Sequence, residues 1–568
     1  MAGGVKKPIN IFRLGDLGEP KGVFNWRLWF AVISFGLLGA ARGIDEGLIG
    51  GAFRSKHFQD LIHYDSYSEV EQANIKGNVT SMVLLGSVAG SLFAFVACDR
   101  IGRLWAVRQL CVWWIMGIAI FLGNRGSLAA VYAGRFIAGF GIGQTPVVGP
   151  VYLAEIAPAS VRGLCTCVFT GNVYLGINLA YWANYGAQLD LGSNVAARWM
   201  IPSSIHIMFA TLIFILSWFQ FESPRYWVKK GNVEKATEVM ARLRHLAPND
   251  PYVVNEISSI KAANDIEVEA TRGLSFFGMV KELFKDRNAL YRVYLATSVQ
   301  FLSQWSGAGS ITIYAPELFE ILGVKGSEQG LLVTAVFGLV KLFAAVFCAL
   351  FLVDVIGRKR ALLSGITLQI IAMVFVAAFL TSTPQLGVDE HFHLPDSKKA
   401  VSRAAIGMIY VSGFGWALGW NSMQYLLTAE LFPLRIRAIA TSWSMMLHFV
   451  NQYANARAVP NLLLPLHQGG ITPAGTFWSF ACVTIIGGAW VWFFIPETGG
   501  RSLESMERLF QLPWYKIGRY GNKYADEIDR AEEVADQPKL DAEEHKLDAE
   551  HVEHDTTATL EKNRANIV

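Results

Sequence analysis

Twelve apolar stretches, each long enough to cross a bilayer, constrain this 568-residue chain more than any other feature. A membrane-crossing helix needs about 20 mostly apolar residues. Such stretches lie at roughly 27–50, 77–98, 106–123, 129–152, 163–186, 199–220, 291–318, 329–353, 361–381, 403–428, 438–462 and 473–495. Lipid offers no partner to a backbone N–H or C=O, so stretches of this length must close their hydrogen bonds internally as helices. The expected fold class is therefore an all-α integral membrane protein with twelve transmembrane helices. Only 17% of residues are charged, against about 25% in soluble proteins, which argues against a soluble domain. The net charge of +3 is too small to call for a nucleic-acid partner.

Charge placement sets the orientation. Arg100, Arg103 and Arg108 flank the turn between spans two and three, Arg358, Lys359 and Arg360 that between eight and nine, and Arg435 and Arg437 that between ten and eleven. The loop after span one instead carries Asp60, Asp65, Glu69 and Glu71. Lysine and arginine accumulate in cytoplasmic loops, so both termini are expected in the cytoplasm, with the plasma membrane as the expected location. Residues 1–26 are polar and span one is too long for a cleavable signal. The six cysteines (98, 111, 165, 167, 348 and 482) lack metal-ligand spacing and read as reduced packing residues. No metal or other cofactor is expected. The sequon Asn78-Val79-Thr80 opens span two and is expected to stay unmodified.

The spans fall into two halves, 27–220 and 291–495. A cytoplasmic segment 1–26 precedes them, and a polar linker, 221–290, separates them. In the linker Asn232 can cap a helix over Val233–Leu246, and Asp250-Pro251 opens another through about Lys261. The tail, 496–568, turns acidic from about 521 and repeats Lys-Leu-Asp-Ala-Glu at 539 and 546; its composition predicts disorder.

Span four holds an arginine, Arg135, between closely spaced glycines and ahead of Pro146 and Pro150. A charge within a span marks a functional site by default. Small residues allow neighbouring helices to approach, and the prolines interrupt the hydrogen-bond ladder. Span one contains Asp45 and Glu46 within Arg42-Gly-Ile-Asp-Glu-Gly47. A mid-span carboxylate needs a cation or a proton, and Arg135 is the expected partner of Asp45. Burial disfavours the ionised carboxylate and a nearby arginine favours it, so a change in their separation would bind and release a proton. Glu46, about 100° further round the helix, is expected toward the outer mouth.

Three motifs repeat in register between the halves. Asp99-Arg-Ile-Gly-Arg103 matches Asp354-Val-Ile-Gly-Arg358, and Glu155…Arg162 matches Glu430…Arg437. Glu222-Ser-Pro-Arg225 answers Pro496-Glu497…Arg501. Such repeats indicate parallel six-span units with a path between them. Together these motifs resemble the sugar porter branch of the major facilitator superfamily, in a fungal style, over roughly residues 25–510. The resemblance implies alternating access, and a cytoplasmic gate of these carboxylates and arginines that forms when the inner face closes. Anchoring helix ends is the plainer role for the same residues. The resemblance also makes Asp45 and Arg135 the proton-sensing pair of a symporter.

Sugars call for hydrogen-bonding side chains and aromatic faces in an enclosed path. Span seven supplies Gln304, Trp305 and Tyr314, with Ser303 and Gly309 where the family usually has a glutamine and an asparagine. Span five offers Thr170, where the family has a glutamine, and Asn172. Span ten reads Gly-Trp-Asn421-Ser-Met-Gln424-Tyr425 in place of the usual Gly-Pro-x-Pro-Trp, so its hinge is either supplied elsewhere or reduced. Span eleven brings Asn451. Lys341, midway along span eight, would suit a carboxylate such as galacturonate or quinate, although a neutral monosaccharide or polyol ranks ahead. The leading expectation is a proton-coupled monosaccharide or polyol symporter acting as a monomer, with symport of a sugar acid as the alternative. A sugar sensor and an uncoupled facilitator rank lower. Neither a nucleophile motif nor a phosphate loop suggests an enzyme.

Overall fold

The structure is a computed structural model that describes residues 20–158, 160–192, 194–271, 276–324, 327–348, 357–386, 392, 394–421, 424, 431–432, 434–497, 509–510 and 512–518. Every regular element among the described residues is a helix. Helices stand at all twelve predicted spans. The first half has Trp26–Gly36 with Leu38–Ala52, Glu69–Ile101, Arg103–Leu122, Leu128–Ile142 with Thr145–Ile156, Arg162–Asp190, and Ala197–Leu216. The second half has Arg287–Trp305 with Ala308–Ile313 and Ala315–Ile321, Ser327–Phe347, Arg358–Thr381, Asp396–Trp416, Leu434–Leu462 and Thr472–Phe494. Nine spans among the described residues are long and apolar enough to cross a membrane. The fifth, seventh and eleventh are the more polar ones. Large apolar side chains such as Phe343 and Ile486 point outward at 68% and 60% exposure, a surface suited to hydrocarbon rather than water.

The breaks in these helices have local causes. Span four parts at Gly143-Gln144, immediately before Pro146, whose ring and missing N–H do not fit a continuous ladder. Span seven parts at Ser306-Gly307 and again at Tyr314, before Pro316. Span ten, which lacks the usual prolines, ends its described helix in a π turn at Ala417–Asn421. A π turn misaligns the ladder without proline, so it provides the irregularity that the missing prolines would have given.

Spans two and eleven pack together across the halves, as do spans five and eight. In the first half, span four lies close on span two: a Cβ on Gly139 would stand 2.0 Å from the Val83 carbonyl oxygen. That close approach places Arg135, one turn earlier, beside span two. Between the halves run Pro224–Lys229, Val233–Arg244, Pro251–Thr271 and Phe276–Leu283. Asn232 caps the second of these, its Oδ1 accepting from Lys235 N at 3.0 Å. The third runs about ten residues past the expected end, because Lys261–Thr271 contains only helix-compatible residues and no glycine or proline. Residues 519–568, with the acidic repeat, lie outside the described residues.

Candidate functional site

The mid-span charges of the first half meet. Arg135 grips both carboxylate oxygens of Asp45, Nη1 toward Oδ1 and Nη2 at 3.2 Å from Oδ2. Its Nε donates to the Val79 carbonyl at 3.1 Å. Asp45 is 5% and Arg135 2% exposed, so water plays little part and the charges depend on one another. His206 of span six adds a third group, with Nε2 3.9 Å from Asp45 Oδ1. Its Nδ1 accepts from Trp114 Nε1 at 3.1 Å. An indole N–H only donates, so His206 Nδ1 carries no proton while this bond stands. The imidazole is then neutral, and among the described residues Arg135 is the cation paired with Asp45. The sequence reading passed over His206, although a titratable side chain in mid-span was signal enough.

Glu46 is not at the outer mouth. It is 7% exposed and accepts from Arg42 Nε and Gln452 Nε2, both at 2.9 Å. The 100° turn from Asp45 aims it across the interface at span eleven, so an inter-half bond replaces the expected solvent contact. Deeper in the second half, polar side chains satisfy one another. Gln304 Nε2 reaches Gln424 Oε1 at 3.3 Å and His448 Nδ1 at 3.2 Å. Ser303 Oγ donates to the same Gln424 oxygen at 3.0 Å, and Trp305 Nε1 to Asn451 Oδ1 at 3.3 Å. Tyr314 Oη donates to the Ala456 carbonyl at 2.7 Å. Asn172 turns back on its own helix, Nδ2 to the Val168 carbonyl at 2.8 Å, while Thr170 and Asn421 are half-buried. Lys341 is buried against Thr312. Tyr425 lies outside the described residues.

At the arginine-rich face the repeated motifs become helix caps. Glu222 accepts from Arg103 N at 3.0 Å and Leu104 N at 3.1 Å, at the start of span three. Glu497 accepts from Arg358 N at 2.8 Å and Lys359 N at 3.1 Å, at the start of span nine. The preceding Gly102 and Gly357 have φ of +89° and +90°, the conformation in which glycine escapes the Cβ penalty. A Cβ there would stand 2.5 Å from Glu222 Oε2 and 3.0 Å from Glu497 Oε2. Both carboxylates thus satisfy free N–H groups at a helix N-terminus. Burial raises the Glu222 carboxyl above the usual range, against the pull of the backbone N–H groups of Ser223, Leu104 and Arg103. Arg103 Nη2 is 2.7 Å from Glu155 and 3.5 Å from Asp99, tying spans two, three and four together. Arg225 is exposed and makes no ion pair within 4 Å among the described residues. Asp354, Glu430 and the side chains of Arg162 and Arg437 lie outside the described residues.

The opposite face holds ion pairs that the sequence reading did not anticipate. Lys76 of span two pairs with Glu317 of span seven, and Arg54, after span one, lies 2.8 Å from Glu320. Arg54 Nη2 also donates to the Pro316 carbonyl at 2.8 Å. Each contact joins the two halves. A cavity of about 230 Å³ lies among these residues and Gly50, Phe53, Gln59 and Tyr314.

Comparison with known proteins agrees with this architecture. The profile of the family described as "Sugar (and other) transporter" matches residues 30–510. A probable quinate permease of Aspergillus niger is 28% identical over 498 residues, covering 87% of this chain and 90% of that protein. The quinate permease of Neurospora terricola is 29% identical over 508 residues, covering 88% and 91%. Among solved structures, the proton:xylose symporter XylE bound to 6-bromo-6-deoxy-D-glucose superposes with a TM-score of 0.69 at 21% identity, covering 85% of this chain and 99% of that one. The partially occluded inward-open form of the E. coli xylose transporter XylE gives 0.67 at 19%, covering 84% and 100%. The helices at the predicted spans, the paired halves and the family match together place this chain in the sugar porter branch of the major facilitator superfamily, a family of multi-pass membrane transporters.

Proposed function

We propose that this chain is a proton-coupled symporter that carries a small polyhydroxylated molecule, unchanged, into the cell by alternating access. The arginine-rich turns and both termini face the cytoplasm, the membrane is the plasma membrane, and one chain suffices. The observation that carries the coupling is the buried grip of Arg135 on Asp45. An ionised Asp45 needs Arg135, because removing one partner of a buried pair leaves an uncompensated charge. A proton on Asp45 cancels that need. Arg135 then relaxes toward its other partner, the Val79 carbonyl of span two, and the first half is released from one packing arrangement. The charged or titratable groups that bear on Asp45 are Arg135, His206 and the neighbouring Glu46, itself held by Arg42 and Gln452.

Two charge clusters would bias the transition from opposite ends. Arg103, Glu155 and Asp99 stiffen the inner ends of the first half, and Lys76–Glu317 with Arg54–Glu320 hold the halves together outside. A polyhydroxylated cargo fits the buried amides of spans seven, ten and eleven, which would exchange partners with its hydroxyls. The quinate permeases to which this chain is similar handle such a molecule by their names. Uptake into proteoliposomes tests the proposal. An imposed inward proton gradient should drive cargo above its external level, and a protonophore should abolish the gain. Accumulation that survives the protonophore contradicts coupling.

A further inference from the structure

Lys341 is 3% exposed in the middle of span eight. Its Nζ donates to Thr312 Oγ1 at 2.6 Å, and the rings of Tyr174 and Phe337 lie 5.4 Å away. An ammonium has three donors and a full charge, yet among the described residues no carboxylate stands within 4 Å of it. The acid whose field reaches it, Glu46, is already taken by Arg42 and Gln452. With Glu46 held by Arg42, Lys341 is left as the excess positive charge among these three residues. One turn along span five from Tyr174, Asn178 is 9% exposed and its Oδ1 has no hydrogen-bond partner among the described residues. That oxygen lies 3.2 Å from where a Cβ on Gly338 would stand, one turn before Lys341. An uncompensated ammonium and an orphaned acceptor therefore share the buried meeting point of spans five, seven and eight.

We infer that Lys341 forms a carboxylate subsite and that the cargo is a polyhydroxylated monocarboxylate, its hydroxyls serving acceptors such as Asn178 Oδ1. The inference rests on the transport reading above and narrows its substrate class. A neutral sugar can accept a bond from Lys341 but leaves the excess charge uncompensated at membrane depth, where an unpaired ion is costly. A single carboxylate compensates it. One anion and one proton then move together, so the cycle carries no net charge.

The full chain in proteoliposomes tests this with two matched pairs: galacturonate against galactose, and quinate against its methyl ester. The acids should be preferred, and Lys341→Met should lower the acid-to-neutral preference about 10- to 100-fold, the worth of one charge-assisted hydrogen bond. Lys341→Arg should keep the preference, which separates charge from folding, and thermal shift of each purified variant with the four probes reports binding directly. Acid uptake should respond to a pH gradient and not to an imposed membrane potential. Equal use of galactose and galacturonate, equal losses for both in Lys341→Met, failure of both acids to bind, or acid uptake that tracks the potential would each overturn the subsite. Gradient-driven uptake of galactose alone would overturn the subsite and leave symport standing. Loss of gradient-driven uptake for every bound probe would remove symport itself.

Discussion

The two ion pairs on the outer face should set how often the path opens to the outside. In the Lys76–Glu317 pair the side chains are 19% and 35% exposed; in Arg54–Glu320 they are 15% and 66% exposed. Partly exposed pairs are screened, so about 1 kcal/mol is an upper figure for the first and about 0.5 kcal/mol suits the second. Arg54 also keeps its bond to the Pro316 carbonyl after Glu320 is neutralised, which trims the second figure further. Glu317→Gln with Glu320→Gln should therefore shift the closed-to-open equilibrium by about 1–1.5 kcal/mol at most, or about five- to twelvefold. Ile313 reports the shift. It is 3% exposed beneath the closure, and its carbonyl lies 3.0 Å from where a Cβ on Gly50 would stand. With Ile313→Cys in a Cys482→Ser background, which removes the exposed native thiol, a membrane-impermeant thiol reagent added outside reads the open fraction as a rate. The rate should rise by up to about five- to twelvefold in the double variant. Raising salt to 1 M, where the Debye length is about 3 Å, should reproduce much of that rise in the parent. A rate that neither substitution nor salt changes would refute the outer closure as an electrostatic one.

The helix caps at the inner face should be worth similar amounts in the two halves. Glu222→Ala and Glu497→Ala should each cost about 1–2 kcal/mol in thermal unfolding of the detergent-solubilised chain, with Glu222→Gln costing less because an amide oxygen still accepts. A cost confined to one half would contradict the matched geometry. His206→Phe should cost about 1–3 kcal/mol by leaving the Trp114 N–H buried without an acceptor, and adding Trp114→Phe should recover part of it. Strict additivity in that cycle would show that the two rings do not depend on each other.

Much of the fold was legible because bilayer thickness imposes one simple rule, and helices stand at all twelve predicted stretches among the described residues. The three spans that fall outside the apolar set, five, seven and eleven, carry polar side chains that bond across the junction between the halves, such as Tyr181, Glu317 and Gln452. The motif repeats were legible as repeats, while which of their two possible roles each carboxylate takes was not. Glu222 and Glu497 were expected either to pair with arginines or to anchor helix ends, and both accept from backbone N–H groups beside glycines at positive φ. Spacing along one chain cannot distinguish a guanidinium from a helix N-terminus. Asp45 and Arg135 were paired in advance because a mid-span carboxylate needs a cation or a proton, and the family resemblance implied the same pair. Glu46 was misplaced because its partners, Arg42 one turn back and Gln452 some 400 residues on, divide a local bond from a long-range one. The outer pairs escaped for the same reason: Lys76 and Glu317 look like ordinary helix-end charges until the halves are brought together.

Asp45 carries the central claim, and its neutral isostere tests it most directly. Proteoliposomes bearing Asp45→Asn should still exchange labelled cargo across the membrane under equal pH on both sides. Under an inward proton gradient the parent should accumulate that cargo, whereas the variant should only equilibrate it. Uphill accumulation by Asp45→Asn at the parent's level would place the coupling proton somewhere other than the Asp45–Arg135 pair.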